Sequence, residues 1–321
     1  MPILTHCLKS GELIVGPLPE NLQDYLDDPD ARVWVDAVGL SQPEIEDIGR
    51  LFRFHVLAVE DCWHSIQRPK VDEYPGYLFF SFHAVDESGE GEVGTREIDG
   101  FLGGNYLVTV HDEPSPEVQE LMARSDRNAN LLGRGVDHLF HELLDRMVDT
   151  HFPILDAIER RIEAAEEDVF SSSDPRVVER LFQIKKELLT LRRVVGPQRD
   201  LLSMLSTREY ETISQPVRFY LRDVLDHLLR LTDLLETYRD LVTGTVDAQR
   251  SEVSYRLNEV MKRLTVIGTI SLPLTLIAGL WGMNVMNLPW AGHPGGFWFV
   301  VGLCLLVTLV LLALFRRARW L

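Results

Sequence analysis

The sequence predicts an α/β domain, a long helical stalk and two C-terminal transmembrane helices, and three features carry that prediction. Residues Leu264 to Phe315 contain no Asp, Glu, Lys or Arg, interrupted only by a Gly/Pro-rich stretch near the middle. The first third holds short runs of β-branched and aromatic residues, the composition of strands. From about Val136 the chain turns to long runs with apolar residues three and four apart, the spacing of one helix face.

In chain order, Arg32-Val33-Trp34-Val35-Asp36, Tyr77-Leu78-Phe79-Phe80-Ser81-Phe82 and Tyr106-Leu107-Val108-Thr109-Val110 read as strands. Gly103-Gly104-Asn105 supplies a hairpin turn between Phe101 and Tyr106. Ser41, Pro43 and Glu44 read as the entry to a helix running to Phe52, because a Glu three residues past a Ser cap can reach back to its backbone. These elements place an α/β domain at residues 1–135.

Residues 136–215 are expected to form long antiparallel helices. Asp137 to Val169 and Pro175 to Val195 are the helical runs, broken at Ser171-Ser172-Ser173 and at Pro197. A third run starts near Pro216 and meets no further proline until Pro273, so a stalk helix continues into the first span over residues 216–284. A loop over 285–296, a second span over 297–315 and a basic tail over 316–321 complete the chain. A bilayer core takes roughly 20 apolar residues per helix, so the charge-free tail has room for two. Lys262 and Arg263 precede the hairpin and Arg316, Arg317 and Arg319 follow it, whereas its loop has no basic residue. That bias predicts cytoplasmic termini and an external loop, with Trp281, Trp290, Trp298 and Trp320 near the interfaces. The start, Met1-Pro2-Ile3-Leu4-Thr5, lacks the pattern of a signal peptide.

All 49 acidic residues precede residue 260, together with 27 of the 32 basic ones, which leaves −22 on the polar portion. Such a charge disfavours nucleic acid and anionic lipid and favours cations. Cys7, Cys62 and Cys304 are too scattered for a disulfide framework or a cysteine zinc site.

The stalk carries the most telling pattern. Asp226, Asp233, Asp240 and Asp247 recur every seventh residue, and the stripe continues through Ser254, Met261, Gly268, Thr275 and Gly282. Ser251, Asn258, Leu272 and Gly279 fill the alternate spacing, with Leu264 beside them. One helix face therefore runs from acidic to polar to small and apolar. Several copies around an axis would turn it into a passage that gathers cations at one end and narrows in the membrane; a solvated stalk face is the alternative reading of the aspartates.

In these residues the chain resembles the CorA family of divalent-cation channels, with its Alr1 and Mrs2 relatives. Gly282-Met283-Asn284 stands at the outer end of the first span, after Leu272-Pro273-Leu274-Thr275-Leu276-Ile277-Ala278-Gly279. His55-Val56-Leu57-Ala58-Val59-Glu60-Asp61, Gln67-Arg68-Pro69-Lys70, Trp34-Val35-Asp36 and the basic tail ending Trp320-Leu321 extend the likeness over nearly the whole chain. The resemblance implies a funnel-shaped homopentamer in the plasma (inner) membrane, its pore lined by the first span: Asp247, Asn258, Met261, Leu264, Gly268, Leu272, Thr275, Gly282, Met283 and Asn284. It implies that Asn284 holds a hydrated cation at the outer mouth. It also implies that Mg²⁺ is both cargo and regulator, bound between neighbouring cytosolic domains at Asp61 and Asp223, with Glu60 and Asp145 as a second set. Co²⁺ and Ni²⁺ are the further expected ions.

The chemistry is sensible on its own terms. Mg²⁺ takes oxygen ligands and sheds water reluctantly, so one or two carboxylates acting through water bind it weakly and release it readily. An amide such as that of Asn284 accepts from first-shell water without a charge that would trap the ion. One departure stands out: the loop after Gly-Met-Asn carries no acidic residue, and its His293 could meet a softer ion. This resembles the family's zinc-transporting ZntB branch, which makes proton-linked Zn²⁺ transport the alternative; a non-conducting membrane-anchored sensor is the second. His138, His141, Glu142 and Asp145 have helical spacing suited to zinc, without the second His of a zincin. No phosphate loop, nucleophile elbow or dinucleotide fingerprint is present, so no enzyme is expected.

Overall fold

The computed structural model describes residues 3–63, 68–88, 92–171, 176–283 and 293–320. It divides into two compact units, Met1–Thr245 and Val246–Leu321.

The first unit is built on a seven-stranded mixed sheet. Its strands are β1 (Ile3–Lys9), β2 (Glu12–Gly16), β3 (Arg32–Val38), β4 (Lys70–Tyr74), β5 (Tyr77–Ser88), β6 (Glu92–Gly103) and β7 (Tyr106–His111), in the order β2-β1-β3-β7-β6-β5-β4. β3 and β7 pair in parallel and the other neighbours are antiparallel. All three strands read from the sequence are present. The expected turn joins β6 to β7, and Asn105 anchors it by donating to the carbonyls of Tyr25, Leu26 and Asp28.

Successive side chains point to opposite faces, and β5 is buried on both. Phe79 meets Phe101, which stacks on Phe54, beneath α1 (Leu22–Leu26), α2 (Gln42–Phe52) and α3 (Val56–Trp63). Phe80 meets Phe140 of α6 (Val136–Asp149) on the other face. The expected capping box starts α2, with Glu44 accepting from the backbone N–H of Ser41 at 2.8 Å. Gly100 sits directly opposite Phe80; a Cβ there would lie 2.3 Å from the Phe80 ring and 2.7 Å from the Val108 carbonyl. Since backbone cannot yield, Gly100→Ala is expected to destabilise the unit by about 1–3 kcal/mol, measured as a lowered denaturation midpoint of the purified full chain.

The helical part differs from expectation at two prolines. The run from Asp137 to Val169 is two helices, α6 and α7 (His151–Ser171), which part at Thr150. Pro153 has no N–H for the Asp149 carbonyl, so the chain restarts with this proline in the first turn, where no donor is needed. Pro197, read as a break, lies inside α8 (Arg176–Thr207). The bond it cannot make would go to the carbonyl of exposed Arg193, where water can substitute, while Val194, Val195, Leu201 and Leu202 are buried around it. Gln198 also ties this turn to β5, donating to the His83 carbonyl at 2.6 Å. That packing offsets the roughly 3 kcal/mol cost of an internal proline. The short helices α4 (Pro116–Arg127) and α5 (Asn130–Gly133) precede α6.

α9 (Gln215–Trp281) runs unbroken through Pro273, and its first half contributes Val224, Leu228, Leu231, Leu235 and Val242 to the core of the first unit. Its second half forms the second unit with α10 (Gly296–Arg317). Both helices are long and apolar enough to cross a membrane, and only 6% and 0% of their most apolar windows is buried. So much exposed apolar surface calls for lipid or partner helices.

Candidate metal centre and cation pathway

In the second unit two contacts fix how α9 meets α10. Lys262 Nζ donates to the Arg319 carbonyl at 2.9 Å, and the rings of Trp281 and Phe299 lie 6.4 Å apart. Residues 262 and 281 therefore meet opposite ends of α10, making an antiparallel hairpin. Val266, only 7% exposed, is on the face of α9 turned to α10, with the half-buried Pro273, Ile277 and Trp281 in line with it.

At about 100° per residue, Met261, Leu264, Gly268, Leu272, Thr275, Gly279 and Gly282 lie roughly 160–240° round from Val266. They occupy the face away from α10. Met261 is 53% exposed, Leu264 61% and Leu272 73%, and Asp247, Asn258, Gly268, Thr275, Gly282 and Met283 are exposed as well. The Thr275 hydroxyl donates to the Ser271 carbonyl at 2.8 Å, which satisfies it within the helix. Among the described residues, nothing lies within 4 Å of a Cβ placed at Gly268 or Gly279. Asn284 and the loop to residue 292 lie outside the described residues. His293 is described, and its Nδ1 accepts from the Gly295 N–H at 3.2 Å just before α10.

In the first unit, α6 and α9 bring together three side chains of types that can ligate a metal. His227 Nδ1 lies 3.8 Å from Asp145 Oδ1 and 3.9 Å from Asp149 Oδ1, and one donor atom of each residue falls within 4.8 Å of the others. That spread suits a divalent ion that keeps part of its water shell. Burial raises the Asp145 carboxyl above its ordinary range, and neighbouring Asp149 raises it further. Asp223, exposed one turn before His227, adds to the same negative field. A cation would relieve this repulsion.

Asp145 and Asp149 open onto a 430 Å³ cleft between α4 and α6. Its arginines are engaged with other acids: Arg124 with Glu142 at 3.2 Å, and Arg146 with Glu120 at 2.8 Å. His138 and His141 turn to the Tyr220 ring, at 5.7 and 5.3 Å between centroids. Burial holds His141 below the usual imidazole range.

The other two expected ligands lie on α3. Asp61 accepts from Lys70 Nζ at 2.6 Å, and exposed Glu60 lines a 760 Å³ groove between α2 and α3 with Ile45, Phe54, Val59 and Trp63. Asp149 and His227 are not among the ligands expected from the sequence. Their signals are legible in retrospect, since Asp145 and Asp149, and Asp223 and His227, are each four residues apart on a helix.

The sequence family described as CorA-like Mg2+ transporter protein matches residues 30–317. The chain belongs to this family. Among CorA relatives it is 33% identical over 298 residues to YfjQ of Bacillus subtilis (strain 168), covering 92% of each chain. It is 30% identical over 297 residues to the cobalt/magnesium transport protein CorA of Thermotoga maritima, covering 92% of this chain and 85% of that one. The complete structure of the CorA magnesium transporter from Methanocaldococcus jannaschii superposes with a TM-score of 0.84 at 23% identity, covering 100% of this chain and 99% of that one. The α/β portion, the long helix and the two C-terminal apolar helices are thus the CorA fold.

Proposed function

We propose that this chain is a passive channel for Mg²⁺, also admitting Co²⁺ and Ni²⁺, in the plasma membrane. Five copies surround the pore, both termini are cytoplasmic, and the lining face of α9 runs from Asp247 to Gly282, with Asn284 at the outer mouth. The observation that carries this reading is the position of the small and polar stripe on the face of α9 away from α10, where it is exposed in a single chain. An anchor helix has no use for Gly268, Thr275 and Gly282 on one face; helices packed around a narrow axis do. Met261, Leu264 and Leu272 are the apolar constrictions that exclude a hydrated ion when the helices close up. A divalent ion gains roughly 4.6 kcal/mol crossing 100 mV, so the membrane potential suffices as the driving force.

Divalent ions also regulate the channel from the inside. Asp61 with Asp223, and Glu60 with Asp145, are the proposed ligands between neighbouring copies, and Asp149 and His227 join Asp145. A cation that binds the tight closed ring better than the loose one shifts the population toward closure.

His227 in the cluster and the acid-free external loop favour a second reading, proton-linked Zn²⁺ transport. Reconstituted full-length protein assayed for Mg²⁺, Co²⁺, Ni²⁺ and Zn²⁺ entry separates the two. Mg²⁺ entry that follows voltage and ignores a pH gradient supports the channel. Zn²⁺ entry that requires the pH gradient supports the second reading, and no flux of any ion refutes both.

A further inference from the structure

Asp61 already has a cation. Lys70, at the start of β4, places its ammonium 2.6 Å from Asp61 Oδ2, and the two side chains are 29% and 27% exposed, so the pair is half withdrawn from water. Lys70 has other places to rest: Asp72 Oδ2 is 3.6 Å away and the Phe79 ring centroid 5.4 Å. Behind it, in register across the sheet, are Ser81 and Asp99. Asp99 is 6% exposed, its Oδ1 has no hydrogen-bond partner among the described residues, and burial together with Glu97 raises its carboxyl well above the ordinary range.

We propose that Lys70 is a tethered competitor for the cation site at Asp61, setting the concentration at which a divalent ion binds there. The inference rests on the reading of Asp61 as a regulatory ligand. A carboxylate that accepts an ammonium at 2.6 Å has part of its charge offset before any ion arrives. A divalent ion must displace that ammonium before it gains the full field of Asp61. Displacement does not strand Lys70, because Asp72 and the Phe79 face receive the charge. Site affinity is thereby lowered without any loss of ligands, which suits a sensor that must stay empty until internal Mg²⁺ is high.

The test is Mg²⁺-dependent protection of the full-length detergent-solubilised protein from limited proteolysis, titrated for the wild type, Lys70→Met, Lys70→Gln, Lys70→Arg and Asp61→Asn. Lys70→Met keeps the stem over Phe79 and removes the charge. It is expected to lower the Mg²⁺ midpoint by roughly twofold to fivefold, the range of a partly exposed ion pair. Lys70→Arg should leave the midpoint near the wild-type value, and Asp61→Asn should raise it. If one neutral variant fails to fold, as judged by its thermal midpoint without Mg²⁺, the other carries the test. An unchanged or raised midpoint in a folded neutral variant, with Asp61→Asn still shifted, overturns the role of Lys70 alone. A midpoint untouched by Asp61→Asn removes Asp61 from the site, and the proposal falls with it.

Discussion

Gly268→Leu is expected to abolish Mg²⁺ flux while leaving the protein folded and inserted. In a single chain no described residue lies within 4 Å of a Cβ at Gly268, and the residue is exposed on the face of α9 away from α10. A side chain there starts into space that no described residue of the protomer fills. If five such helices line an axis, five isobutyl groups meet where there was free space, in a segment already narrowed by Leu264 and Leu272. The control is Gly302→Leu on α10, where a Cβ is also unobstructed; that variant should conduct. Liposome flux reads the result, and gel filtration in detergent checks assembly. Equal flux through both variants would place the pathway elsewhere.

Asn284→Ala should be equally severe for a different reason. The amide is proposed to accept from the water shell of an incoming ion, and removing one such group per subunit removes a ring of them. Because Mg²⁺ gives up its inner waters reluctantly, a mouth that cannot hold the hydrated ion loses the step that gathers it. Mg²⁺ flux should be abolished, with assembly and thermal midpoint unchanged. Wild-type flux from a correctly inserted Asn284→Ala protein would take the Gly-Met-Asn segment out of the mechanism.

Much of the fold is legible locally because side-chain chemistry acts locally. β3, β5 and β7 declare themselves through valines and aromatics, and the capping box through Ser41 and Glu44. The β1–β2 hairpin, which is not among the strands expected from the sequence, has a local signal as well: Ser10-Gly11 joins the strands with φ of 52° and 82°, as a two-residue turn of this kind requires. The prolines were harder, since cost depends on position. Pro153 is tolerated in a first turn and Pro197 in a helix interior whose packing outweighs the lost bond. Site residues followed the same division. The α9 stripe needs only helical periodicity, whereas the triad of Asp145, Asp149 and His227 requires α6 and α9 to be adjacent, and the Lys70–Asp61 pair requires β4 beside α3. Such contacts depend on tertiary packing that no short window of sequence contains.

Single cysteines along α9 test most directly whether its stripe lines the pathway. In a background lacking Cys7, Cys62 and Cys304, cysteines at Leu264, Gly268, Leu272 and Thr275 would be compared with cysteines at Val266, Ile270, Pro273 and Ile277, on the face toward α10. Each variant is treated in liposomes with a small cationic thiol reagent while Mg²⁺ entry is recorded. The expected result is block at the first four positions and little effect at the second four, with a helical period. Block at Val266 and Ile277 with none at Gly268 and Thr275 would show that the other face of the helix meets the ion.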